Sequence, residues 1–271
     1  MSVKRQMPTQ PAIPDEIRDV PEQDHPRRVV ALAADLPRGY VNGWHSHERG
    51  QLLYTRSGAV TVWTDDGVFV LPPDRAVWIA PNSRHATRYL IRSELRTIYV
   101  RTETVAGLPD RTTAVNVTPL LRELLLTFMT FARDYSEDGA EGRLVRVMLD
   151  QIIAAPSVAL RLPVPEDEKL KPLAESVRNH PELNRPTEEI ARDLAMSLRT
   201  FERRFAGQTG MTFRAWRNKA KMLKALELLS TGATVGDTAD QLGYEGQSAF
   251  IANFKTTFGK TPGRYFSRPG P

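Results

Sequence analysis

One stretch of this chain is written twice. The segment "IARDLAMSLRTFERRFAGQTGMTFRAW", from Ile190, can be laid over "TADQLGYEGQSAFIANFKTTFGKTPGRYF", from Thr238. Ala191 and Leu194 recur 48 residues later as Ala239 and Leu242. After one extra residue in the turn, Phe201, Phe205, Gly210, Thr212 and Trp216 recur 49 later as Phe250, Phe254, Gly259, Thr261 and Tyr265. Each copy reads as a short helix, a tight turn and a second helix. In the first copy Thr187 is expected to cap a helix with an acidic first turn (Glu188, Glu189), and Ser197 to cap the next. In the second, Thr234 and Asp237 form a variant of the capping box, and Gly243 supplies a left-handed helix end. The basic helix "FRAWRNKAKMLKALELLS" joins the copies. A duplicated hairpin alone would also suit a plain helical bundle. Duplication, tight turns and positive charge together point to two helix-turn-helix units that place their second helices in DNA grooves.

The charge distribution agrees. Residues 171–271 carry 16 Lys and Arg against 10 Asp and Glu, a net of +6, whereas residues 1–170 carry 21 against 22. A basic module beside a near-neutral one implies that only the C-terminal part meets a polyanion.

This zone resembles the DNA-binding domain of the AraC/XylS family of bacterial transcription regulators. The residues that carry the resemblance are "LGYEGQSAFIANFKTTFGKTPGRYF", with its aromatic ladder, its Phe-Gly and its Thr-Pro. The resemblance implies two helix-turn-helix subdomains bridged by a helix, each facing a major groove of double-stranded promoter DNA. It implies RNA polymerase as a partner if the protein activates transcription. Helical faces then nominate readers. Leu198, Phe201 and Phe205 sit at i, i+3 and i+7 and are expected to face the core. Arg199, Glu202 and Arg203 fall on the opposite face, where arginine suits guanine and Glu202 suits the cytosine amino group. Thr200 and Arg204 are expected at phosphates, and Ser197 is counted with them among the DNA-binding residues. The second copy has Ser248, Ile251 and Ala252 where the first has Arg199, Glu202 and Arg203. Only Gln247, Ser248 and Asn253 remain there as polar readers, so the second unit is expected to grip backbone or read shape.

The N-terminal part has another rhythm. From about 28 to 103, short runs such as "GQLLYTRSGAVTVWT", "GVFVLPP" and "AVWIAP" alternate apolar with polar residues, with turn residues between them. Such runs predict an antiparallel sandwich or barrel over 26–110. The pattern turns helical from Thr118, with Pro119 at the first helical position. The segment 116–155 is apolar on several faces, so it is expected to cover the barrel and to form a homodimer. "PSVALRLPVPEDE" (156–168) reads as a linker to a DNA-binding domain over 169–271. The fold class is therefore α+β, with two domains. Residues 1–25 are polar and proline-rich, read as disordered and without a signal peptide. The chain has no cysteine, hence no disulfide or thiolate site. The expectation is a cytoplasmic protein with no membrane partner.

Three of the five histidines gather in two motifs: His45 and His47 in "WHSHERGQLLY", and His85 in "WIAPNSRH". The spacing Gly39, His45, His47, Gln51, Gly58 resembles the first cupin motif, with glutamine where glutamate is usual. "WIAPNSRH" is similar to the second motif, with Ala80 and Asn82 in place of the usual proline and glycine. Cupins are small β-barrels with an internal site, and many AraC-like regulators share this arrangement of barrel, helices and DNA-binding domain. His45 and His47, two apart, are expected to point the same way along one strand, and Gln51 and His85 to close on the same point. Three imidazoles suit zinc, nickel, iron or a similar divalent ion. An amide in place of a carboxylate leaves such an ion its full charge and favours an anionic ligand. A metal-free effector pocket and a hydrogen-bonded core cluster stay open as alternatives. So does a different function, a cupin dioxygenase or isomerase with a helical accessory domain. The duplicated DNA-binding unit and the neutral Gln51 favour a regulator that senses a small molecule or metal, with no catalytic residue.

Overall fold

The structure is a computed structural model that describes residues 24–65, 67–182 and 184–266. Nearly all of the stretch read as disordered lies outside the described residues. The N-terminal half forms two five-stranded antiparallel sheets. One has the order β1 (Val29–Leu36), β8 (Ser93–Val100), β3 (Gly50–Ser57), β6 (Arg75–Ile79) and β9 (Thr113–Asn116). The other runs β10 (Arg161–Pro163), β5 (Gly67–Leu71), β4 (Val60–Thr64), β7 (His85–Tyr89) and β2 (Val41–His45).

The strand period of two sorts residues between faces. On the first sheet, Leu52, Tyr54, Trp78 and Ile98 share a core with Leu121, Leu125 and Phe128 of α1 (Pro119–Phe128) and Met148, Leu149 and Ile152 of α2 (Ala140–Ile153). Those two helices cap the sheet's outer face, and α1 begins as expected, with the Thr118 hydroxyl accepting from the Leu121 amide at 3.2 Å.

Two boundaries differ from the expectation. The barrel does not end near 110, because β9 pairs with β6. The stretch read as a linker contains β10, with Leu162 opposite Val68 and Pro163 opposite Gly67. Leu160 and Leu162 are buried, and this anchors the segment despite its prolines. Pro163 ends an edge strand, where its missing N–H leaves no ladder bond open.

The C-terminal part is helical: α3 (Leu170–Asn179), α4 (Thr187–Asp193), α5 (Leu198–Thr209), α6 (Phe213–Ser230), α7 (Val235–Gln241), α8 (Gln247–Phe258) and α9 (Pro262–Phe266). The pairs α4–α5 and α7–α8 are the two hairpins, and α6 bridges them. Phe201 and Phe205 meet Phe213 with rings 5.0 Å apart, and Phe254 meets Tyr265 at 5.6 Å, so each repeat builds its own aromatic core. Ser197 caps α5 and Thr234 caps α7 as expected. Thr187 does not cap: it is the first residue of α4, and Pro186 holds the cap position with φ −56°. Leu198 does not face the core. It is 40% exposed, because the aromatic packing begins one turn further in, at Phe201.

The two halves are packed together. α6 lies against the outer face of the second sheet, where Trp216 Nε1 donates to the Pro163 carbonyl at 2.6 Å and Thr61 of β4 donates to Glu227 at 3.2 Å. The Glu227 carboxylate also takes the Lys224 ammonium at 2.8 Å.

Candidate sensing centre and DNA-reading face

His45 closes β2 and His85 opens β7, and the two are cross-strand partners. Their rings are 4.2 Å apart, and the His47 ring lies 5.0 Å from His85. One ring nitrogen from each of the three lies within 4.8 Å of the others, and all three side chains are buried. The convergence is as expected, but its cause for His47 is different. β2 ends at His45, so His47 stands in the loop beyond the strand. Its carbonyl accepts from the Asn82 amide at 2.8 Å, and Asn82 takes φ 58° there. Asparagine is one of the few residues that tolerates this left-handed conformation, which explains how it replaces the glycine of the cupin pattern.

The hydrogen bonds fix the tautomers. His45 Nδ1 faces the Gly43 carbonyl at 2.8 Å, His47 Nδ1 the Arg49 carbonyl at 2.6 Å and His85 Nδ1 the Ser83 carbonyl at 2.9 Å. A carbonyl only accepts, so each Nδ1 carries the proton and each Nε2 presents a lone pair. Burial holds all three pKa values below the ordinary 6.5, and His85, beside the other two, falls to about 3. The imidazoles are therefore neutral at neutral pH.

Gln51, on β3 of the opposite sheet, completes the cluster. Its Nε2 donates to Thr97 Oγ1 at 3.0 Å and to the Tyr99 hydroxyl at 3.2 Å. Thr97 spends its own proton on the Leu52 carbonyl at 3.0 Å, so it must accept from Gln51. This orients Gln51 Oε1 toward His47 Nε2, 3.1 Å away. With His47 neutral, two lone pairs face each other across that gap. An electrophile that both can bind would satisfy the pair.

On the DNA-reading side, Arg199 and Arg203 are exposed along α5, as are Gln247 and Ser248 at the start of α8. Three of the nominated DNA contacts have partners within the protein. Glu202 is only half exposed and accepts from the Phe213 amide at the start of α6, at 3.5 Å. Arg204 lies 3.8 Å from Asp167, the residue that also accepts the first amides of α3. Asn253 is held inside the domain: it exchanges hydrogen bonds with Asn218 of α6 at 2.6 and 3.1 Å and donates to the Tyr244 hydroxyl at 2.6 Å. Its amide locks α8 to α6 rather than facing solvent. Ser197 and Thr200 are spent mainly on the α5 cap, where their hydroxyls bond at 2.9 Å. Leu198 is the residue that face-sorting placed wrongly: it stands exposed beside Arg199.

Comparison with known proteins bears on both sites. Residues 28–194 match the model of the AraC-like ligand binding domain, and residues 190–268 match a helix-turn-helix domain model. The chain is 32% identical over 224 residues to the HTH-type transcriptional regulator NimR of Escherichia coli, covering 83% of this chain and 82% of that protein. It is 30% identical over 104 residues to RipA of Corynebacterium diphtheriae, covering 38% of this chain and 31% of that one. Among solved structures, fatty-acid-bound ToxT from Vibrio cholerae aligns over 88% of this chain and 94% of its own, with 14% identity and a TM-score of 0.37. The DNA-binding domain of AdpA in complex with a target DNA aligns over 37% and 91%, with 28% identity and a TM-score of 0.35. A ligand-binding barrel followed by two helix-turn-helix units, matched by family models along most of the chain, places this protein: it belongs to the AraC family of DNA-binding transcription regulators.

Proposed function

We propose that His45, His47, Gln51 and His85 form the sensing centre of this regulator, holding a divalent transition metal and, through its uncompensated charge, an anionic small-molecule effector. The observation that carries the reading is the set of four lone pairs. Three Nδ1 atoms are anchored on carbonyls, which leaves three Nε2 atoms free to converge, and the Thr97–Gln51 hydrogen bond turns Oε1 toward that of His47. Anchoring the second ring nitrogen in this way is what metal-binding histidines do. Burial is the main cause that lowers the pKa of all three imidazoles, and no carboxylate is among the causes. That suits a sensing site better than an acid–base catalyst.

The signal reaches DNA through the helical domain, where Arg199 and Arg203 read base edges. The active form is a homodimer built on α1 and α2, supported by the exposed Leu120, Val147 and Ile153 on those helices. Sedimentation of the full chain at micromolar concentration checks this, and a monomer would reject it.

The central test has two arms. Elemental analysis of protein purified without chelators or a histidine tag should find close to one divalent ion per chain. His45→Ala/His47→Ala should abolish the ion and the promoter response in cells. A metal-free protein whose double variant still responds normally would make these histidines structural.

A further inference from the structure

A cavity lies outside the barrel. It has a volume of about 510 Å³ and sits between the outer face of the β10-β5-β4-β7-β2 sheet and helices α3 and α6 of the DNA-binding domain. Its position follows from strand alternation. His45 points between the sheets, and its neighbour Trp44 lines this cavity. His85 points inward, and Arg84 and Arg88 line it from outside. The opposite wall belongs to the other domain, with Lys171 and Arg178 of α3 and Trp216 of α6.

The lining has a definite chemistry. Four cationic side chains (Arg84, Arg88, Lys171, Arg178) meet two carboxylates (Asp65, Glu175), so the cavity carries a net +2. Three of the chain's four tryptophans line it: Trp44, Trp63 and Trp216. Guanidinium groups already stack on two of them. Arg84 lies 4.7 Å over Trp44, and Arg88 and Arg178 lie 5.3 and 5.7 Å over Trp63. Flat apolar walls topped by cations suit a ligand with a flat apolar body and a negative group. The volume is that of a small organic molecule rather than of an ion.

We propose that this interdomain cavity is a second effector site, selective for an aromatic organic anion, and distinct from the centre inside the barrel. The anionic group lies among Arg84 and Lys171 at the rim, and the ring lies against Trp44 and Trp63. A ligand held there touches the sensor barrel and the DNA-binding domain at once. Its occupancy therefore sets how the two halves sit together.

The location of the tryptophans supplies the readout. Titration of the full chain with 2-naphthoate should quench intrinsic tryptophan fluorescence saturably. The neutral isostere 2-naphthylmethanol should bind at least tenfold more weakly. Arg84→Glu/Lys171→Glu, both exposed positions, should raise the naphthoate midpoint at least tenfold, and Lys171→Gln alone should raise it by a smaller factor. Equal midpoints for acid and alcohol, or a midpoint unmoved by both sets of substitutions, would overturn the proposal. A midpoint that moves with His45→Ala/His47→Ala and not with the rim substitutions would put the anion in the barrel. That outcome overturns the second site and leaves the barrel reading standing.

Discussion

Thr61 of the sensor barrel donates to Glu227 of the bridging helix α6 at 3.2 Å, so a side chain on a barrel strand ends on the helix that joins the two DNA-binding hairpins. Glu227 is buried and gathers Lys224 at 2.8 Å, with the charges of Arg88 and Arg178 nearby. Glu227→Ala takes the carboxylate from Lys224 and removes one negative charge from beside Arg88 and Arg178, the latter keeping Glu175. The expected cost is about 3 kcal/mol of full-chain stability, since removing one partner strands a buried charge. Chemical unfolding of the full chain measures it, and Glu227→Gln, which keeps an acceptor for Thr61, should lose less.

The two α5 arginines separate base reading from architecture. Arg199→Ala or Arg203→Ala should cost about 1–3 kcal/mol on the cognate operator and relax preference at one base position. Equal weakening on all DNA sequences would show phosphate contact alone. Glu202→Ala should behave differently, because Glu202 faces the start of α6. It should lower stability by about 1 kcal/mol and leave base preference intact.

Asn253 tests the second hairpin. Its amide holds Asn218 and Tyr244, so Asn253→Ala frees α8 from α6. The expected loss is about 1–2 kcal/mol of stability, with operator affinity falling by the same factor whatever bases face the second unit. Selection of binding sites from a randomised operator, run with both proteins, would reveal a base-specific effect if one exists.

The histidine cluster predicts an acid limit for the chelated protein. His85 is held at about 3 against an ordinary 6.5, and His45 and His47 are also lowered. Between those two pH values the unfolded chain binds protons at these sites that the folded chain refuses. Stability is therefore full above about 6.5 and falls as the pH drops through that window. Urea unfolding across the window should show it, with a shallower slope for His85→Gln.

Much of this architecture was legible in the chain. The repeat stood out because Phe201, Phe205, Phe250 and Phe254 occupy equivalent core positions, and helical spacing encodes a buried face directly. His45 and His47 were legible as a pair two residues apart, and His85, 40 residues beyond His45, only through the likeness of "WIAPNSRH" to the second cupin motif. The failures are equally physical. β10 is three residues long and contains a proline, so it carries no alternation to detect. The partners of Asn253 are Asn218, 35 residues away, and Tyr244, 9 away, and no local pattern announces such bonds. Leu198 was assigned inward by helical phase, but phase cannot say where along the helix the core begins.

The sheet that separates the interdomain cavity from the histidine cluster is a single layer. Trp44 and His45 are consecutive, as are Arg84 and His85, and each pair turns one residue to each side. The two faces are thus written by different letters where β2 ends and β7 begins. Substitutions at alternate positions can change what the barrel recognises while the surface docked on α3 and α6 stays as it is. A regulator built this way can acquire a new signal in few steps without relearning its promoter.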